Sequence, residues 1–303
     1  MIAQDSGALY ETFNEFWEVT DESLSVWGHA ERTTQNGKGS ETPVNTDKRI
    51  LCIRHVEGAI LATKATYSAL YQVIDLFDHY LAHCATCKSG LATTCAAVLL
   101  LMLKQDKASR RDFNVLEFAQ RLAFNINEVP VMSKGAIVQI ELDIVRRCSG
   151  LLHSPTILDY MEIIYGRFRS LCVHHELPGS FWNVWAMNTQ YYLIRMLLFA
   201  PANDAVGHYS GACGLLSLGL VAGKAIDAKE IYTNNICACS GALAVGHHIL
   251  HGAPLNFEHT IPTLEYLQKA TKRTQEQLQK DANGTALQLL SVINQKPPSR
   301  ISI

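Results

Sequence analysis

Charge is scarce in this chain of 303 residues. Only 18% are Asp, Glu, Lys or Arg, the net charge is −2, and Lys and Arg form no dense run. That argues against a nucleic-acid or membrane-surface role driven by bulk charge. Long apolar runs are also missing. The longest, Cys95 to Leu103, is about half of what a bilayer crossing needs. The Met1 end (MIAQDSGALY) shows no basic stretch followed by an apolar one, so no signal peptide is expected and the chain reads as soluble. No segment alternates with period two over a useful length, and no Asn-Gly turn sits between apolar segments, which leaves little room for a sheet. There is no P-loop, no G-x-G-x-x-G behind a strand and no nucleophile elbow.

What is present begins with 48% hydrophobic residues, ample for one core or two modest ones. The nine cysteines are an odd number, and Cys52, Cys95, Cys148, Cys172 and Cys213 lie inside apolar segments, as buried free thiols in a reducing compartment would. Cys84-Ala-Thr-Cys87 follows His83, but a zinc site needs a second pair at matching spacing. Cys237 and Cys239, one residue apart, do not supply it. His247, His248 and His251, and likewise His174 and His175, lack the HExxH pattern. No metal, cofactor or catalytic residue is expected.

Helical period dominates the chain. An amphipathic pattern over 6–27 (Leu9, Phe13, Phe16, Trp17, Leu24, Trp27) precedes a polar, glycine-containing linker over 30–46. Helices are predicted over 47–62, 66–83, 89–104, 115–124, 133–149, 157–169, 181–199, 204–221 and 228–250, and a polar helix over 263–280 precedes a disordered tail. His153-Ser154-Pro155-Thr156 reads as a helix start, with Pro where a first turn tolerates it. The division is therefore 1–46, an N-terminal helix and linker; 47–152 and 153–252, two five-helix-like halves; and 253–303, a C-terminal helix and flexible tail. The small-residue stretch GHYSGACGLLSLGL suits a helix packed closely at the centre of its bundle.

Three charges stand out against this apolar background. Asp78 falls beside the stripe Leu70, Ile74, Phe77 and Leu81. A carboxylate there calls for a cation, and Arg49, near the start of the preceding helix, is a candidate if the two helices run antiparallel. Taken alone, Asp78 reads more simply as a boundary residue that reaches water. Lys104 ends the apolar third helix, where a cation favours the helix C-terminus, and Glu141 lies among Ile137, Ile140, Leu142 and Ile144.

Taken together, Arg49, Asp78, Lys104 and Glu141 stand in the order and context of the cyclin box. LFDHYL (Leu76–Leu81) resembles the family's Y-I-D-R-F-L. AAVLLLMLKQD (Ala96–Asp106) resembles its A-A-x-L-L-A-S-K-x-E-E, and Val138–Ile164 is similar to the stretch running from the family's glutamate into its second repeat. The separations of 29 and 26 residues match the family, while the 37 from Lys104 to Glu141 exceeds that of mitotic cyclins. Insertion there is a habit of transcriptional cyclins of the type that partners the Mediator kinase. The resemblance covers roughly residues 47–250 and is most specific in the first box. In the second, APANDAVGHYSGACGLLSLGL resembles the family's P-S-x-x-A-x-A-A-x-x-x-A helix.

The resemblance implies an all-α fold of two tandem five-helix cyclin boxes and a non-catalytic subunit, nuclear and also cytoplasmic, that binds a cyclin-dependent kinase. The partner kinase could be the Mediator-associated one. By position, Lys104 and Glu141 would contact kinase backbone through partly exposed heads, with Leu101, Gln105, Leu142 and Val145 as the surround. Arg49 and Asp78 would be a supporting ion pair. Departures exist. Lys48 and His55 replace the Met and Trp of the M-R-A-I-L-V-D-W patch that docks substrate R-x-L motifs, Gln105-Asp106 replaces an aromatic-Glu pair, and residues 1–46 hold no destruction-box pattern. The drift suggests a divergent member, resembling viral cyclins such as the walleye retroviral ones. The alternative is a cyclin-fold adaptor of the transcription machinery that activates no kinase, against which stand the missing basic surface and zinc ribbon.

Overall fold

The computed structural model describes residues 17–18, 20–25, 46–83, 90–106, 113–148, 150, 152–174, 194–200, 207–225 and 261–294. Among these the fold is all-α, without a strand. The helices are α1 (17–18 and 20–25), α2 (Thr46–Thr63), α3 (Tyr67–His83), α4 (Gly90–Gln105), α5 (Val115–Asn125), α6 (Lys134–Arg147), α7 (Ile157–His174), the short α8 (194–198), α9 (His208–Ala225), α10 (Ile261–Thr271) and α11 (Gln275–Asn294). The helices predicted over 181–199 and 228–250 fall largely or wholly outside the described residues, as does most of the predicted 6–27 helix.

Two compact units divide the chain between Thr156 and Ile157. The first holds α2–α6 and the connection through Thr156; the second holds α7–α11 together with α1. Thus α1 belongs to the second unit, and so do the C-terminal helices, α11 packing along α9 and α10 on α7; the tail expected at the end of the chain, residues 295–303, lies outside the described residues. The single polar helix predicted over 263–280 is in fact two. Lys272, in the left-handed region at φ 51°, ends α10. Thr274 then starts α11 with a reciprocal capping box: the Gln277 amide donates to Thr274 Oγ1 at 3.3 Å and the Thr274 amide to Gln277 Oε1 at 3.0 Å.

In the first unit α4 is the central helix. An unbroken run from Ala92 to Leu99 is buried, then Leu101 to Leu103, and α2, α3, α5 and α6 all pack on it. Its start is held from a distance. Glu128, just beyond α5, accepts from the Leu91 amide at 3.2 Å and the Ala92 amide at 3.0 Å, placing a carboxylate at the positive end of the helix. Ser133 caps α6, its Oγ accepting from the Ala136 amide at 3.3 Å.

In the second unit the small-residue helix is α9, buried without a break from Gly211 through Gly219. Gly214 is where α11 comes closest. A Cβ there would meet Thr285 Oγ1 and the backbone carbonyl of Asp281, whose carbon lies 2.8 Å away. Only hydrogen at that position allows the two backbones this approach.

Candidate partner-binding site

Arg49 and Asp78 meet side by side. Nε donates to Asp78 Oδ1 at 2.8 Å and an Nη to Oδ2 at 2.6 Å, the bidentate geometry of a planar guanidinium on a carboxylate. The burial is unequal: the Arg49 side chain is 6% exposed and that of Asp78 23%. Burial alone would push the guanidinium down, but the charge of Asp78 outweighs it and holds Arg49 above its ordinary value. The apolar stripe of α3 explains the placement. Leu70, Ile74 and Phe77 are buried with Val73 and Tyr80, and Asp78 lies at the edge of that face, where α2 passes.

Lys104 at the end of α4 and Glu141 in α6 also join, Nζ donating to Oε1 at 2.5 Å. The resemblance implies partly exposed heads on both residues, and for Glu141 that expectation needs correcting. Its side chain is 8% exposed against 53% for Lys104. Glu141 sits on the buried stripe Ile137, Glu141 and Ile144, which faces α4, so its carboxylate is sunk beneath the lysine that neutralises it. Leu101 needs the same correction: it is a buried core residue of α4 and offers no surface. Gln105 is exposed, its amide oxygen accepting from the His153 ring. Leu142 is exposed and Val145 half-buried, one position round the helix from the buried stripe.

The positions that depart from cyclin sequences have structural roles. Lys48 Nζ lies 3.8 Å from Glu128 Oε1. His55 Nδ1 donates to the Leu51 carbonyl at 2.9 Å, which leaves Nε2 to accept from Asn125 Nδ2 at 2.7 Å, tying α2 to the end of α5. Asp106 Oδ2 accepts from the Thr66 amide at 2.7 Å and its hydroxyl at 2.9 Å, capping α3. Asp75, which reads in sequence as an ordinary polar residue, accepts a hydrogen bond from the Ser154 hydroxyl.

What sequence reasoning missed, Leu142 apart, is a run of exposed apolar side chains. Phe124, Val129, Met132, Val138 and Leu142 are all exposed, Phe124 by 80%. They run from the end of α5, through the connection containing Pro130, onto α6. The visible signal was the stretch EVPVM, a connection interrupted by Pro130 in which Val131 turns into the core while Val129 and Met132 have no helical face to join.

Among the described residues no group of His, Cys, Asp and Glu could hold a metal ion, and no helix is long and apolar enough to cross a membrane. Cys84, Cys87, Cys237, Cys239, His175, His247, His248 and His251 lie outside the described residues. Cys52, Cys95, Cys148 and Cys213 are buried free thiols. A hydrogen bond with Cys52 and then burial push the Cys95 thiol up, and burial pushes Cys213 up to about 12, which keeps both protonated and unreactive. No protein-family model matches the chain, and no match is found among curated protein sequences.

Proposed function

We propose that the chain is a cyclin-like regulatory subunit, built as two cyclin-box repeats, that binds a cyclin-dependent kinase and modulates its activity. The Mediator-associated kinase is one candidate partner. The observation that supports this best is the position of the exposed apolar band. It runs from the end of α5 onto α6, where Val138 and Leu142 stand within one turn of Glu141, which the resemblance assigns, with Lys104, to kinase contact. Exposed apolar groups concentrated in this way favour a protein partner over solvent. Burying side chains of this kind is worth about 1.5–3 kcal/mol each, enough for five of them to offset a substantial share of the cost of association. Because Lys104 reaches solvent and Glu141 does not, Lys104 makes the outer contact and Glu141 fixes its ammonium in place. Activation on this reading is a population shift: the chain binds one conformation of the kinase better and performs no chemistry itself.

The test is capture of kinases by the purified chain, read by mass spectrometry, beside Lys104→Glu, Glu141→Lys and the double exchange. Each single variant breaks the internal pair as well as the surface. The double exchange restores the pair with its charges inverted, so it should recover part of the stability that either single variant loses yet still lose the kinase. Absence of any kinase on wild type, or full retention by the double exchange, overturns the proposal.

A further inference from the structure

In the second unit, Arg167 is wholly buried in the interior of α7 (0% exposed). Its cover comes from the far end of the chain. The Trp17 ring lies over the guanidinium, 4.0 Å from its carbon, and Trp17 Nε1 donates to Ser170 Oγ at 3.3 Å. Asp21, one turn along α1, places Oδ1 2.6 Å from an Arg167 Nη and 2.8 Å from Lys272 Nζ. The anchors are a tryptophan, an arginine and a desolvated charge pair, the residue types that dominate binding hot spots. The charges at this contact are unequal: two cations share one carboxylate, which remains 42% exposed, so the face keeps a positive charge that favours an acidic occupant.

We infer that the face formed by Arg167, Ser170 and Lys272 is a docking site for a short helix bearing an aromatic ring and a carboxylate one turn apart. Trp17 and Asp21 occupy it in cis, and an acidic partner helix of the same pattern displaces them. The site lies in the second unit and does not depend on the kinase reading.

A labelled peptide of residues 12–28 is the probe, added to the full-length chain and followed by fluorescence anisotropy. It should bind full-length Trp17→Ala/Asp21→Asn, whose own helix is weakened, at least tenfold more tightly than wild type. The same peptide carrying Asp21→Asn should bind that variant at least tenfold more weakly. Should the double variant misfold, a protease site placed between residues 32 and 44 of the otherwise wild-type chain replaces it: after cleavage the labelled peptide should exchange with the released N-terminal fragment. Failure of the peptide to enter in either format, or equal binding of the Asp21→Asn peptide, overturns the inference.

Discussion

Removing the carboxylate of Asp78 should destabilise the first unit more than removing its cation, although each change deletes the same ion pair. The asymmetry follows from burial. With Asp78→Ala, the guanidinium of Arg49 stays in a site that is 6% exposed, without the counter-charge that accepts two of its N–H bonds. Breaking a buried pair in this way costs about 3–5 kcal/mol. The lower end applies here, about 3 kcal/mol, because the removed partner was itself reached by solvent. With Arg49→Met the chain fills the space with a flexible apolar side chain. The orphaned carboxylate, 23% exposed, turns to water, so a loss of about 1–2 kcal/mol is expected. For a unit of this size 1 kcal/mol moves the melting temperature by about 4 °C, giving shifts of about 12 °C and about 6 °C. The double variant Arg49→Met/Asp78→Ala should be more stable than Asp78→Ala alone, since no charge is left buried. Urea unfolding followed by circular dichroism measures all three. A neutral Asp78→Ala, or losses that simply add in the double variant, would mean that Arg49 is not held in place by Asp78.

Glycine substitutions should split by environment. Gly214→Ala forces α9 and α11 apart at the Asp281 carbonyl and should cost at least about 2 kcal/mol in chemical unfolding. Gly58→Ala, on the exposed face of α2 with nothing within 4 Å of the added carbon, should instead stabilise by about 0.5–1 kcal/mol. Acid should act through two carboxyls held below their ordinary range. For Asp21, partial burial pushes upward, but Lys272 and Arg167 together outweigh it; for Asp143, the Tyr80 hydroxyl is the leading cause and Arg147 adds to it. A depressed carboxyl contributes stability above its unfolded value of about 3.9, and that stability is lost as pH falls through the lower folded value. Asp281, raised by burial, runs the opposite way. Melting curves of Asp21→Asn and Asp143→Asn should therefore fall less steeply below about pH 4 than wild type; parallel acid limbs would contradict this.

Helix placement was legible because apolar periodicity is written locally. The stripe Leu70, Ile74, Phe77 and the run Ala96 to Leu103, Leu100 excepted, sit in the core as their spacing requires. Asp78 could be read as needing a cation for the same reason, since its position on the stripe follows from counting along one helix. Glu141 shows where counting stops. Whether residue 141 points at solvent or at α4 depends on which neighbour covers α6, a long-range fact its own segment does not contain. The break at Lys272 was hidden in a different way. A lysine in the left-handed region carries none of the signal a glycine would, and the Thr274–Gln277 cap reads as two more polar residues in a polar helix. Arg167 and Asp21 are 146 residues apart, so neither announces the other.

Hydrogen exchange on the purified chain, with and without a bound cyclin-dependent kinase, decides whether the first unit holds the kinase. The kinase should slow exchange over residues 124–145 and at the end of α4, and the double exchange of Lys104 and Glu141 should abolish this protection while the free chain stays folded. A kinase that binds while protecting only segments outside the first unit, or a chain that binds no such kinase at all, would contradict it.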